Sequence, residues 1–157
     1  MNQKEAIEKA LDLMETAEAA YLSTVDDSGY PQTRAMLNLR NAEKYPVLEK
    51  VFQEHLHDFL VYFTTNTSSE KMVQIAHDPR VSVYYSIPGE WRGLMLGGRV
   101  SVVRDMDVKK SLWQPAWEMY YHGGPPDPDY TILSLAPTIA KLYHQMHFVT
   151  ITFSQAG

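Results

Sequence analysis

Residues Leu60 to Ser86 read LVYFTTNTSSEKMVQIAHDPRVSVYYS. The first six are rich in β-branched and aromatic side chains and predict a strand, and Arg80 to Ser86 predict a second one. Between them, the small polar residues Asn66 to Ser69 favour a turn and a helix N-cap. The helix that follows is expected to end at Asp78, because a residue before proline is pushed out of the α region. The stretch therefore predicts a strand, a turn, a helix and a returning strand.

The turn and the start of this helix have the composition of a phosphate-binding site. The free N–H groups of a helix's first turn and the helix dipole both favour an anion, and Lys71 adds a full positive charge. A phosphorylated cofactor would suit such a site. Serine and threonine before a helix also serve as plain caps, so both interpretations remain open.

Composition limits the classes of function. The chain has 157 residues, no internal repeat and enough apolar side chains for one domain with a substantial core. A formal charge of −5 argues against nucleic acid and anionic membrane as general partners. Cysteine is absent, which excludes disulfides and thiolate chemistry. The N-terminal segment has no long uncharged apolar run, so we expect neither a signal peptide nor a membrane span, and a cytoplasmic setting.

The N-terminal part predicts a helix and a hairpin. The helix is expected over Asn2 to Glu18, and the hairpin has strands Ala20 to Val25 and Tyr30 to Leu39. Alternation along the second strand sets Arg34, Met36 and Asn38 on one face, where they either meet solvent or line a polar pocket.

The remaining chain predicts short elements of both kinds. Paired glycines inside the long strand indicate a bulge or a bend. The expected elements are a helix over Tyr45 to Leu56, a strand over Trp91 to Arg104 interrupted at Gly97 and Gly98, a helix over Asp107 to Trp117 broken at Pro115, a strand over Tyr130 to Leu135, a helix from Pro137 to about Tyr143, and a strand over His147 to Phe153. About six antiparallel strands with flanking helices predict a mainly β, α+β fold, a small closed or half-open barrel.

Aromatic and histidine clusters are the other candidate sites. Trp113, Trp117, Tyr120 and Tyr121 exceed what a loop-flanked helix needs for its own packing. They are interpreted as pocket wall or interface, with ordinary core contacts as the alternative. The pairs at His55/His57 and His144/His147 suggest a metal site only if the two segments meet, and no metal is expected.

Four motifs, taken in order, carry a family resemblance. They are Gly29-Tyr30-Pro31-Gln32-Thr33-Arg34-Ala35-Met36, then Phe63-Thr64-Thr65-Asn66 with Ser69-Glu70-Lys71, then Asp78-Pro79-Arg80-Val81-Ser82-Val83, then Gly98-Arg99-Val100. In this order and spacing the chain, from about Ala20 to Phe153, resembles the FMN-binding split-barrel family of pyridoxamine 5′-phosphate oxidase and its general-stress-protein relatives.

The resemblance implies a homodimer that holds two FMN molecules at the subunit interface. It assigns the ribityl phosphate and flavin to Arg34, Ala35 and Met36, the flavin edge or phosphate to Thr64 and Thr65, and the phosphate to Ser69 and Lys71. It also places Trp91, Arg92 and Gly93 near the isoalloxazine, across the dimer.

Two departures from the family pattern bear on activity. The oxidases carry an arginine where this chain has Glu70, so one charged contact to the phosphate is lost. A charged hydrogen bond is worth about 1.5–3 kcal/mol, or roughly ten- to a hundredfold in affinity, and Arg34 is a candidate to compensate. The oxidases also use a C-terminal Trp and Arg, whereas this chain ends at Gly157, so pyridoxamine 5′-phosphate oxidation itself is not expected.

The resemblance leaves two classes of function. One is an FMN-dependent oxidoreductase or flavin reductase for a small substrate, with Trp113, Trp117 and Tyr121 as candidate pocket walls and no catalytic side chain assigned. The other is a non-catalytic, stress-related module that binds flavin, haem or deazaflavin. Reduction of a bound flavin by NAD(P)H would favour the enzyme, and a haem site would need an axial histidine.

Overall fold

A computed structural model of the chain describes residues 1–154. They form a seven-stranded, wholly antiparallel sheet with helices around it. The strands are β1 (Ala19–Val25), β2 (Pro31–Leu37), β3 (Val61–Asn66), β4 (Arg80–Ile87), β5 (Arg92–Val103), β6 (Tyr130–His144) and β7 (His147–Thr152), and the helices are α1 (Gln3–Thr16), α2 (Glu49–Phe52), α3 (Glu70–His77) and α4 (Met106–Leu112).

The strand order shows why the barrel is closed only in part. Along the sheet the order is β2-β1-β4-β5-β6-β3, and β7 also pairs with β6. The fifteen-residue β6 holds β3 along its first half and β7 along its second. The two ends of the path, β2 and β3, lie beside each other, but no ladder joins them within residues 1–154. The predicted mainly β barrel with flanking helices is confirmed, and its open seam lies between β2 and β3.

Helix α1 closes the core on one side. Asn2 caps it by accepting a hydrogen bond from the Glu5 backbone N–H at 2.9 Å, and Glu5 returns the contact in a capping box. Its inward face buries Ala6, Ala10, Leu13 and Met14 against apolar side chains of the barrel such as Phe63, Val83 and Leu94.

None of the helices in residues 1–154 combines the length and apolar composition that a membrane crossing requires.

The helix predicted from Pro137 to Tyr143 is wrong, because this segment continues β6. Proline lacks the N–H that a ladder needs, and it is tolerated in sheets at bulges. Here Pro137 pairs with Gly98 and Ile139 pairs with Gly97, so Thr138 is the extra residue of a bulge. A Cβ on Gly98 would lie 3.1 Å from the Ala136 carbonyl oxygen, which explains the glycine at this close approach.

The helix predicted from Tyr45 to Leu56 is also shorter than expected. Only α2 is α-helical, and 3₁₀ turns flank it on both sides. The buried Arg40 fixes this segment, since its guanidinium donates to the carbonyl oxygens of His55 and Leu60 and stacks 4.6 Å from the Phe52 ring centroid. Contacts from outside the segment therefore set its shape.

Candidate functional site

A cleft of about 610 Å³ opens at the seam between β2 and β3. Strand β2 lines it with residues 35–37, β3 with residues 64–66, and α3 with Lys71. Trp117 and Tyr121, in and just after the 3₁₀ turn Pro115–Met119, also line it, and Tyr121 contacts Thr64 of β3. The volume is in the range of small-molecule sites. We refer to this space as the seam cleft.

One end of the seam cleft is cationic. The Lys71 ammonium donates to Thr65 Oγ1 at 2.9 Å and to Ser69 Oγ at 3.3 Å. Among the ion pairs of residues 1–154, none includes Lys71. Burial lowers the pKa of Lys71, and the neighbouring charge of Arg34 lowers it further. The site therefore holds a half-buried positive charge whose hydrogen-bond partners, among the residues that the structure describes, are hydroxyl groups.

Arg34 adds a second cation beside this end. Its guanidinium bonds only neutral groups, and it too forms no ion pair in the described part of the chain. Burial lowers the pKa of Arg34, and the charge of Glu70 partly offsets that effect. Two uncompensated cations in a partly buried position favour an anion with more than one negative charge.

Ser69 has the position of an N-cap, but its side chain makes no capping hydrogen bond. It instead accepts from Lys71. Glu70, the residue that departs from the oxidase pattern, is exposed and absent from the ion pairs of residues 1–154. The end of β3 and the start of α3 thus bring two hydroxyls and an ammonium together, the groups that the sequence predicts for a phosphate site.

Aromatic side chains form another part of the wall of the seam cleft. Tyr121 and Thr64 share a hydrogen bond at 2.9 Å, and burial raises the pKa of Tyr121 while this bond opposes the rise. Trp117 is 3% exposed and packs edge-on to Trp113, with ring centroids 6.1 Å apart. Trp113 lies behind the wall, in a cluster with Tyr130, and does not line the cleft. Of the three predicted wall residues, the cleft includes Trp117 and Tyr121.

The strand β2 residues are distributed over both faces. Ala35 and Met36 line the seam cleft, and Arg34 reaches inward below it. Asn38 lies past the end of β2, where its amide donates to the carbonyl oxygens of Met14 and Ala17 at 2.8 Å each. Asn38 therefore ties α1 to the sheet.

Trp91, Arg92 and Gly93 do not line the seam cleft of this chain. Trp91 has a left-handed backbone with φ of 52° and is 80% exposed. Arg92 pairs with Asp12 at 2.6 Å and Glu90 at 3.0 Å, beside a depression of about 690 Å³ under α1. Because these carboxylates already compensate the charge of Arg92, that larger depression is a poorer anion site than the seam cleft.

Several residues of the seam cleft carried no signal in the sequence. Lys44 and Glu18 lie on connecting segments, and Tyr21 lies on an ordinary alternating strand. Tyr21 reaches the cleft because it pairs with Ala35. The alternating pattern of β1 could have identified Tyr21 only if the register of β1 against β2 had been known. Within residues 1–154, no three His, Asp or Glu side chains gather in a way that could hold a metal ion.

Comparison with solved structures gives the same fold. A protein related to general stress protein 26 from Clostridium acetobutylicum has 26% identity and a TM-score of 0.75, with coverage of 98% of this chain and 97% of that one. General stress protein 26 from Bacillus anthracis has 20% identity and a TM-score of 0.69, with 92% and 98% covered. A haem-binding protein from Mycobacterium smegmatis has 15% identity and a TM-score of 0.68, with 97% and 60% covered.

A search of curated proteins found no match. The family model described as pyridoxamine 5′-phosphate oxidase like matches residues 5–156. This match spans the barrel, the seam cleft and both cationic residues at its end. The chain belongs to the pyridoxamine 5′-phosphate oxidase-like family.

Proposed function

We propose that the chain is an FMN-binding flavoprotein and that the seam cleft is its cofactor site. One observation carries the proposal: Lys71 lines the cleft and bonds two hydroxyls, Arg34 lies near it, neither cation pairs with a carboxylate within residues 1–154, and aromatic side chains line the same cleft. FMN has a dianionic phosphate at one end and a flat ring system at the other. The residues present therefore fit this group in both charge and surface.

The phosphate would lie between Lys71 and Arg34. Lys71 supplies a point charge, and the hydroxyls of Thr65 and Ser69, which now satisfy it, can turn to the phosphate oxygens. Binding would give each of these partly buried cations the anionic partner that it lacks among residues 1–154. Because Glu70 is exposed, its charge is screened by solvent and opposes the phosphate only weakly.

The ring system would lie against Trp117, Tyr121 and Met36, with Thr64 at its edge. Aromatic side chains and methionine favour the face of a planar ring. When bound, flavin supplies the hydride and electron chemistry, and the protein supplies orientation, hydrogen bonds and exclusion of water. This favours an oxidoreductase or flavin reductase acting on a small substrate, in the cytoplasmic setting expected from the sequence.

We further propose that two copies of the chain complete the site. A row of outward-facing residues starts in the cleft at Ala35 and Tyr21 and continues across the sheet to Tyr84 and Met95. Tyr21 and Tyr84 are 43% and 40% exposed. An exposed apolar strip continuous with a ligand cleft favours a partner that covers both. In such a homodimer, Trp91, Arg92 and Gly93 would approach the cleft of the partner.

Haem is the second candidate ligand, because a haem-binding protein has a similar fold. None of the six histidines of the chain lines the seam cleft, so the usual axial ligand is not at hand. Tyr121 is a possible tyrosinate ligand, but burial raises its pKa and disfavours the ionised form. The cleft therefore suits flavin better than haem.

Equilibrium titration with FMN, riboflavin and haemin tests the proposal. We expect FMN to bind at least tenfold more tightly than riboflavin, since only FMN has the phosphate. Equal affinities for the two flavins would refute the phosphate assignment, and a strong Soret band with weak flavin binding would favour haem. Turnover with NADH or NADPH then separates an enzyme from a flavin-storing module.

A further inference from the structure

Arg34 forms a ring of hydrogen bonds with the buried side chains of Thr24 and Gln74. Its Nη1 donates to Thr24 Oγ1 at 2.7 Å, and its Nη2 donates to Gln74 Oε1 at 3.3 Å. Thr24 and Gln74 are themselves joined by a hydrogen bond at 2.5 Å. Nη1 also donates to the backbone oxygens of Gln32 and Leu22. The guanidinium is therefore fixed by groups from β1, β2 and α3.

The donors and acceptors in this set have one consistent assignment. A guanidinium can only donate, so Thr24 Oγ1 accepts from Arg34 and uses its own hydrogen to donate to Gln74. Gln74 must then present its oxygen to both neighbours. The three side chains thus specify one another's orientation.

Burial marks Thr24 and Gln74 as unusual. Thr24 is 0% and Gln74 is 5% exposed, and Gln74 shares the buried face of α3 with Ile75. An apolar residue would fill either position at lower desolvation cost, because a buried polar group is tolerated only when it is hydrogen-bonded. What the two polar groups provide, and an apolar pair would not, is a fixed orientation of the Arg34 guanidinium.

We propose that Thr24 and Gln74 are positioning residues that set Arg34 for a phosphate-bearing ligand. The inference rests on the proposed function, since it concerns the same anion site. Helix α3 carries Lys71 near its start and Gln74 one turn later, so one rigid element places both cations relative to each other. This arrangement is formed before the ligand arrives, which lowers the entropy that binding must offset.

Replacing Thr24 tests the proposal without changing charge. Thr24→Val removes the hydroxyl and keeps the shape, while Thr24→Ser keeps the hydroxyl and serves as the rescue variant. For Thr24→Val we expect FMN affinity to fall about three- to tenfold with riboflavin affinity unchanged, and for Thr24→Ser we expect near wild-type values. A purely structural role would weaken both flavins together.

Gln74→Glu provides a second, independent measurement. The new carboxylate would pair with Arg34 and cancel its charge, so the preference for FMN over riboflavin should fall while the melting temperature without flavin holds or rises. An unchanged FMN preference in both Thr24→Val and Gln74→Glu, on a wild-type protein that does prefer FMN, would overturn the positioning role alone. A wild-type protein with no such preference would overturn the proposed function and this inference with it.

Discussion

The ammonium of Lys71 lies 2.9 Å from the Thr65 hydroxyl, and the partners it has in residues 1–154 are hydroxyl oxygens. A lysine held this way contrasts with Arg80 on the same segment, whose guanidinium is paired with Asp78 at 2.8 Å. One cation is compensated and exposed, and the other is uncompensated and half-buried. That difference supports the proposed anion site and makes it testable.

Lys71→Gln should weaken FMN binding by about ten- to a hundredfold, the equivalent of roughly 1.5–3 kcal/mol for one charged hydrogen bond. Riboflavin affinity should not change, because riboflavin has no phosphate for Lys71 to bind. Flavin fluorescence titration of both ligands measures the two constants.

The matched control for that experiment is Arg80→Gln, which removes the same charge from an exposed residue outside the seam cleft. It should leave both affinities within about twofold, since surface ion pairs contribute little. If Arg80→Gln and Lys71→Gln weaken FMN equally, a general effect of net charge explains the result and the phosphate assignment is wrong.

FMN affinity should be highest between two limits of pH. In the free protein the pKa of Lys71 is lowered by burial and by Arg34, and a bound phosphate dianion would raise it. Affinity therefore falls as pH rises through the lowered pKa of the free protein, because the ammonium loses its proton. It also falls below about pH 6, where phosphate becomes a monoanion.

Titrations with FMN across the alkaline range, with riboflavin as the control for ring ionisation, measure this dependence. In Lys71→Arg the guanidinium stays charged, so the alkaline fall should shift to higher pH. If FMN affinity falls over the same alkaline pH range in the wild type and in Lys71→Arg, Lys71 does not bind the phosphate.

Lys71→Met should stabilise the protein in the absence of flavin. The lowered pKa of Lys71 means that the folded state disfavours its charged form, so stability rises with pH through that pKa and the charge is a cost at neutral pH. After solvent screening we expect a gain of about 0.5 kcal/mol, or ~1–2 °C in Tm. Thermal scans at pH 7 test this, and a lower Tm for Lys71→Met would contradict it.

Tyr121→Phe should destabilise the aromatic wall. It removes the partner of Thr64, whose side chain is largely buried, and a lost neutral hydrogen bond is worth about 1 kcal/mol. For a chain of this size the loss corresponds to a decrease of ~2–4 °C in Tm. Tyr30→Phe is the control, because Tyr30 is 70% exposed. Equal melting temperatures for the two variants would mean that the Thr64 contact contributes nothing.

Local chemistry explains which parts of the fold were predictable from the sequence. The unit from β3 through α3 to β4 has turn residues, a lysine at a helix start and a proline that ends the helix, and each signal acts within a few residues. Lys71 was predicted from these local signals and Arg34 and Met36 from the alternation along β2, whereas Thr65 was assigned through the family resemblance. The sequence therefore predicted that Thr65 and Lys71 lie near each other, and their hydrogen bond confirms this proximity.

The errors arose where a distant contact decided the structure. Pro137 looked like the first residue of a helix, but the Gly97–Gly98 segment on a neighbouring strand accommodates it in a bulge. The alternation of buried Ala140 and Leu142 with exposed Lys141 was the strand signal that this proline obscured. Trp113 likewise resembled Trp117 in sequence, and only the packing around Tyr130 shows that it lies behind the wall.

Tyr84→Glu should convert a homodimer into a monomer. Wild-type chain is expected to sediment at twice its mass of 18.0 kDa, with the apolar strip from Tyr21 to Tyr84 covered. A two-fold axis would bring two unpaired carboxylates into that interface at a cost of about 3 kcal/mol or more. If a second copy completes the site as proposed, FMN affinity should fall when dimerisation is lost. Val47→Glu, at a 59% exposed residue off the sheet, should change neither property. A monomeric Tyr84→Glu protein that binds FMN as well as wild type would place the whole site within one chain.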